Sequence, residues 1–382
     1  MTLRMTWMIA LTWLLWALAP GALLALEPPP QAQIAADLDK VTDPREIVVI
    51  ADSAGELSTL IALATPRGYR ELDGQELETL GLAMGVLQIP EGRGGMQAIE
   101  ELEGLRPGIL AGLNHAFGSG DQAGIRGPRL YADRLMDWPA QGCAAHHSIG
   151  IIDAVQGPEV LGLPNTRYRN FARRGITDDP HGFLVARLLN DASRISGASL
   201  FAANVVGRTR LGGSEASADA LVAAIGWLHS QGVRLINISL AGPYNKILDR
   251  AISRAAERGT LIVAAVGNDG ASSPPRYPSA FSSVIAVTAV DANGARYRQS
   301  VAGQHVDIAA PGVDIFVAGK YVSGSSFAVP FVTGFIATLD RELPSANEAR
   351  RILAEQARDL GAEGRDPVFG HGLLSLNQRC GS

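Results

Sequence analysis

The sequence predicts an α/β protein built on a parallel sheet with helices on both faces, preceded by a small α+β module. Three observations predict this. After residue 147, runs such as SIGIID, ASLFAANVV, RLINISL, TLIVAAV and SVIAVTAV are apolar at consecutive positions, so both faces of these strands must be buried. The runs alternate with longer segments of helical pattern, as parallel strands need for their crossovers. Before residue 120 the order is instead strand, helix, strand, strand, helix, strand, which fits a ferredoxin-like unit.

The chain opens with Arg4 and an uncharged stretch over residues 5–26, broken at Pro20-Gly21 and followed by Glu27 and three prolines. Three of the five tryptophans, Trp7, Trp13 and Trp16, lie in it. This reads as a secretory signal peptide, residues 1–26, that would direct export to the periplasm or beyond. The competing reading is an uncleaved anchor, since the stretch meets the ~20-residue span of a bilayer; membrane association is expected only in that case. The small residues fit a cut after Ala19 or Ala25, and Pro20 argues against the first.

Residues 27–120 form the expected module. EIVVIA at 46–51 reads as a strand, 55–64 as a helix stopped near Pro66 and Gly68, 69–72 and 84–90 as strands, 95–105 as a helix stopped by Pro107-Gly108, and 109–117 as extended. Residues 118–127 hold four glycines and a serine with little apolar content, a linker composition that marks a domain boundary. Residues 121–382 then carry the parallel-sheet domain, with helices expected from His181, over 219–230, over 246–258, and as a final pair.

Composition excludes some functions. With 47% hydrophobic and 19% charged residues the chain can bury a core, and 33 basic against 38 acidic side chains leave a net charge of −5. No overall basic field exists to hold nucleic acid phosphates. Only two cysteines occur, Cys143 and Cys380. Export would permit a bridge between them, and two separate buried thiols is the other reading.

In such folds chemistry gathers at the carboxyl ends of strands. Asp153 ends SIGIID, His181 opens the helix after Pro180, Asn268 follows TLIVAAVG, and Ser326 lies where small residues give way to a long apolar helix. Each alone could be a cap or turn residue. Together they supply what acyl transfer requires: a serine nucleophile, an imidazole base, a carboxylate to hold the base's tautomer, and an amide donor for an oxyanion. The chain order is Asp, His, Ser, and no G-x-S-x-G elbow surrounds Ser326.

From Tyr131 to the C-terminus the sequence resembles the subtilisin-like serine proteases. The motifs are GIIDAV around the aspartate, PHGFLVA in part around the histidine, AAVGNDG around the asparagine and SGSSFAVP around the serine. INISLAG, YPSAFSSVIAVTAVD, VDIAAPG and GRDPVFGHGLL also look like the family. The resemblance implies a subtilisin-like catalytic domain hydrolysing peptide bonds through an acyl-enzyme. It makes Ser326 the nucleophile, His181 the base, Asp153 its orienting partner, and Asn268 with the Ser326 amide the oxyanion hole. Ser239, Leu240 and Ala241 would pair with the substrate backbone, and Ala265, Val266 and Gly267 would help line an apolar specificity pocket. By position and element order, the module resembles the propeptides of such proteases, making it a partner of its own catalytic domain and the enzyme a self-processing zymogen cut near residues 118–127.

Phe183, Leu184 and Arg187 depart from the family pattern after the histidine, while Ser325 and Phe327 replace a threonine and a methionine. These departures motivate a rival, a non-catalytic peptide-binding protein on the same scaffold. A second rival, the acid-acting sedolisin branch, conflicts with His181 and with asparagine at 268. No cofactor is expected. Residues 291–294 (DANG) read as a hairpin turn rather than a calcium loop, and calcium dependence stays open.

Overall fold

The computed structural model describes residues 40–119, 122–123, 131–157, 159, 163, 166–208 and 213–380. The expected signal peptide and most of the 118–127 linker lie outside the described residues. The module contains β1 (Glu46–Ala51), α1 (Ala54–Ala64), β2 (Arg70–Leu77), β3 (Leu82–Gln88), α2 (Gly95–Leu105) and β4 (Leu110–Leu113). Its four strands pair antiparallel in the order β2-β3-β1-β4. Ser53 caps α1 by accepting from the Glu56 amide.

Two strands differ from expectation. The strand expected at 69–72 runs on to Leu77, because Arg70–Leu77 is an edge strand exposed at most positions and shows no apolar alternation to read. The strand expected at 84–90 spans Leu82–Gln88, its start set by the Gly81 turn.

The second unit contains β5 (Ile149–Asp153), β6 (Arg167–Asn170), α3 (His181–Leu189), β7 (Leu200–Asn204), α4 (Ala218–Ser230), β8 (Leu235–Ile238), α5 (Lys246–Glu257), β9 (Leu261–Ala265), β10 (Val284–Val290), β11 (Ile308–Pro311), α6 (Ser325–Ala337), α7 (Ala346–Glu355), β12 (Ala357–Arg358) and β13 (Leu373–Leu374). Nine strands form one sheet in the order β12-β13-β11-β10-β9-β8-β5-β7-β6. All neighbours are parallel except β12 with β13. The buried strands serve two cores by simple alternation. In β9, Leu261, Val263 and Ala265 face the core beneath α3, α6 and α7, while Ile262 and Ala264 face that beneath α4 and α5.

The module covers α4 and α5. Val48, Ile50, Leu80, Met84 and Val86 share one apolar cluster with Leu221, Ile225, Ile247 and Ile252. A Cβ on Gly226 would lie 2.7 Å from the Leu77 side chain, so this helical glycine admits the module. Around the apolar contact runs a set of ion pairs of one polarity, acid on the module and base on the sheet domain. Arg174 meets Asp43 at 3.1 Å and Glu46 at 3.4 Å; Arg173 meets Glu46 at 3.5 Å and Asp73 at 3.6 Å. Asp52 meets Arg250 at 2.7 Å and Arg254 at 3.0 Å, and Lys246 meets Glu103. Those two guanidiniums hold the Asp52 carboxyl below its ordinary pKa.

Candidate active site

Three neighbouring strands deliver the site. β5 ends at Asp153, whose side chain is fully buried, and β7 lies beside it with Asn204 opposite Asp153. Asn204 accepts from the Val155 amide at 3.0 Å, fixing the loop that leaves the aspartate. The aspartate's Oδ1 accepts from its neighbour's amide, Ala154 N, at 2.6 Å, and His181 Nδ1 lies 2.6 Å from the same oxygen. The imidazole is presented by the first turn of α3, whose start is held by Asp179 accepting from the His181 amide. Gly182 makes the approach possible, since a Cβ there would come within 2.4 Å of the Ala154 carbonyl oxygen.

Asn268 follows β9 after Gly267, which has φ of 93°, a left-handed turn that suits glycine. Its Oδ1 accepts from the amide of Ser325 at 3.0 Å and from the Ser325 hydroxyl at 2.9 Å. This leaves Nδ2 aimed outward, where it donates to the Ser119 carbonyl at 2.8 Å. Ser325 also accepts from the Gly267 amide at 3.2 Å, so one hydroxyl ties the asparagine turn to the serine helix. Ser326 stands in the first turn of α6, its hydroxyl donating to the Ser239 carbonyl at 3.0 Å, and the Phe327 ring lies 5.4 Å from that of His181.

The structure therefore brings Asp153 and His181 into contact, and Asn268, Ser325, Ser326 and Ser239 into a second connected group. The stretch 239–241, expected from the sequence to pair with substrate, is paired with another segment of the chain. Residues 113–119 run from the module across the sheet domain: Asn245 donates to the Leu113 carbonyl, the Ala218 amide to the His115 carbonyl, and Phe117 pairs with Ala216. Gly118 and Ala241 exchange both backbone hydrogen bonds, at 3.0 and 2.9 Å. Phe117 is fully buried, and a Cβ on Gly242 would come within 2.4 Å of its ring. Leu240, Ala265 and Val266 lie in apolar clusters of the interior, so their side chains serve packing.

Sequence reasoning passed over Ser119, Ser325's link to Asn268, and Asn237 beneath the site. The first lies in linker-like sequence and contributes only its carbonyl. The last is a single polar letter in an apolar strand, and that is the signal that could have found it.

Away from the site, Cys143 and Cys380 form a disulfide with Cα atoms 5.5 Å apart. It joins the segment before β5 to the C-terminal tail, where Ser375 donates to Asp137 and Leu376 to the Met136 carbonyl. Residues 291–294 make a tight turn, Asp291 accepting from the Asn293 and Ala295 amides. Among the described residues no group of three His, Cys, Asp or Glu could hold a metal ion, and no helix is long and apolar enough to cross a membrane.

Comparison with known proteins places the chain in a family. The sequence profile of the Subtilase family matches residues 172–372. Subtilisin DY of Bacillus licheniformis is 31% identical over 271 residues, covering 65% of this chain and 95% of that protein. The minor extracellular protease Epr of Bacillus subtilis is 34% identical over 168 residues, 42% of this chain; the match spans about a quarter (26%) of that longer relative. The crystal structure of fervidolysin from Fervidobacterium pennivorans, a keratinolytic enzyme related to subtilisin, superposes with a TM-score of 0.70 at 19% identity, over 89% of this chain and 61% of that one.

Proposed function

The chain belongs to the subtilase family of serine peptidases, and from that premise we propose that it is an exported endopeptidase made as a precursor that cuts its own connector. In this reading Ser326 Oγ attacks a peptide carbonyl while His181 takes its proton. Asp153, hydrogen-bonded to Nδ1, fixes the tautomer and stabilises the imidazolium. The developing oxyanion is met by the Asn268 amide and the Ser326 backbone N–H at the positive end of α6. His181 then returns the proton to the leaving amine, and water releases the acyl group. The substrate is a polypeptide held as an extended strand beside Ser239, Leu240 and Ala241, and neither a cofactor nor a metal has a part in these steps.

The observation that carries this reading is the connector. Gly118 pairs with Ala241 and the next carbonyl, that of Ser119, accepts from Asn268. A carbonyl held by the oxyanion donor is the carbonyl a nucleophile would attack, so the 119–120 bond is the proposed processing site and residues 27–119 the propeptide. Export is supported by the leader-like residues 1–26 and by the Epr relative being described as extracellular.

The test is intact mass, N-terminal sequencing and fluorophosphonate labelling of the wild type and Ser326→Ala. The expected wild type carries label on Ser326 and a mature chain starting at Gly120, and the variant keeps the module and takes no label. An unlabelled, unprocessed wild type would overturn the reading in favour of a peptide-binding protein. Identical maturation of both chains would remove self-processing.

A further inference from the structure

Asn237 is a side-chain amide fully enclosed in a strand whose other residues, Leu235, Ile236 and Ile238, are apolar core. Burying an amide is unfavourable unless its donor and acceptor are both met. Its partners are drawn from the two elements that carry the chemistry. Thr333 sits seven residues after Ser326, two turns along α6 and so on the same helix face. Its hydroxyl donates to Asn237 Oδ1 at 3.2 Å. Asn237 Nδ2 donates to Ser239 Oγ at 3.0 Å. Ser239 Oγ donates to the Ser326 carbonyl at 3.0 Å, and Ser326 Oγ donates back to the Ser239 carbonyl at 3.0 Å.

The direction of each bond follows from the hydrogens available. Because the amide of Asn237 fills a lone pair of Ser239 Oγ, the one hydroxyl hydrogen of Ser239 is free for the Ser326 carbonyl. A flipped amide would turn Oδ1 toward Ser239 and claim its only hydroxyl hydrogen, so this orientation of Asn237 is the one that leaves that hydrogen for the Ser326 carbonyl. The chain from Thr333 to Ser326 thereby fixes the substrate strand against the start of the serine helix at two heights.

We infer that Asn237 is a positioning residue for the reaction. Acting through Ser239, it sets the distance between the strand that seats the substrate and the nucleophile. This rests on the serine-peptidase reading above. It makes a prediction that a purely structural role does not. Replacing both buried partners by apolar groups of the same shape is nearly neutral for stability, so Asn237→Leu with Thr333→Val keeps the fold while releasing the serine from its register. Misplacement by about 1 Å costs on the order of 10²-fold in rate.

The experiment measures fluorophosphonate labelling rate, peptide kcat and KM, and Tm for the full-length chain and its variants. The expected double variant melts within a few degrees of wild type, labels roughly 10- to 100-fold more slowly and loses kcat in proportion, with KM within about threefold. Thr333→Ser, which keeps the hydroxyl, retains the wild-type rate, while Thr333→Val loses about threefold or more. A folded double variant that labels at the wild-type rate overturns the inference. If the double variant does not fold, equal rates for Thr333→Ser and Thr333→Val overturn it. A wild type that takes no label removes the peptidase reading and this inference with it, whereas a labelled wild type with unaffected variants removes this inference alone.

Discussion

Gly182→Ala is the substitution that most directly tests whether the contact between Asp153 and His181 is functional. The added methyl would sit 2.4 Å from the Ala154 carbonyl oxygen, 2.7 Å from its carbon and 3.0 Å from Val155 Cγ2. Ordinary carbon contacts begin near 3.5 Å, so α3 must retreat from the end of β5 by roughly 1 Å. The two backbones concerned are those of the residues next to His181 and next to Asp153, so the retreat stretches the 2.6 Å contact between these two side chains. A displacement of ~1 Å costs about 10²-fold in rate. Substrate binding should change little, because residues 239–241 and Asn268 follow the ends of two other strands, β8 and β9. The assay is peptide hydrolysis with separate kcat and KM, together with fluorophosphonate labelling. The expected result is a kcat lowered about 30- to 300-fold with KM within about threefold. A kcat within threefold of wild type in a folded protein would refute the argument that glycine is required for this approach.

Further expectations concern stability and the module. Replacing both cysteines by serine opens a loop with a sequence separation of 237, which on chain-entropy grounds costs at most ~5 kcal/mol, and more typically 2 to 4. That predicts a Tm lowered by roughly 5 to 15 °C, and an unchanged Tm under non-reducing conditions would refute it. Burial, with a smaller contribution from Arg365 and opposed by Asp307, pushes the His305 pKa down to about 4 from 6.5. The unfolded state therefore binds more protons between these values. The stability contributed by neutral His305 is present above pH 6.5 and is lost as pH falls through about 4, up to roughly 3 kcal/mol. Urea midpoints from pH 7.5 to 4.5 should fall, and less steeply in His305→Gln; parallel curves would sink the assignment. Since every ion pair quoted between module and sheet domain places the acid on the module, raising salt should loosen a cleaved module by about tenfold between 50 and 500 mM. Gel filtration of Ser326→Ala nicked at a protease site inserted after residue 123 would show this, and equal co-elution at both salts would contradict it.

How much of this could be read beforehand depends on where each residue gets its signal. Asp153, His181, Asn268 and Ser326 stand at junctions where apolar runs meet small residues, so the boundary itself announces them. The parallel sheet was legible because strands buried on both faces cannot alternate with polar residues, as β9 and β10 show. The edge strand Arg70–Leu77 was legible only in part, since an exposed strand draws its stability from backbone pairing that leaves no mark on side-chain type. Ser119 was hidden for a similar reason: glycine and serine read as a loose tether, yet the cleft takes hold of their backbone. The partnership of Cys143 with Cys380 has no local signature, because no periodicity links residues brought together by the closure of a whole domain.

The strand lodged between Ala216, Ala241 and Asn268 is attached to the domain that holds it, and under the proposed self-processing this sets the kinetic order of events. A tethered segment is present at an effective concentration in the millimolar range, so the first cut would proceed as a unimolecular step whose half-time is the same in a dilute secretion as in a concentrated preparation. Once that bond is broken the module becomes a separate solute. Its hold on the cleft then depends on concentration, so dilution alone would convert a blocked enzyme into an open one.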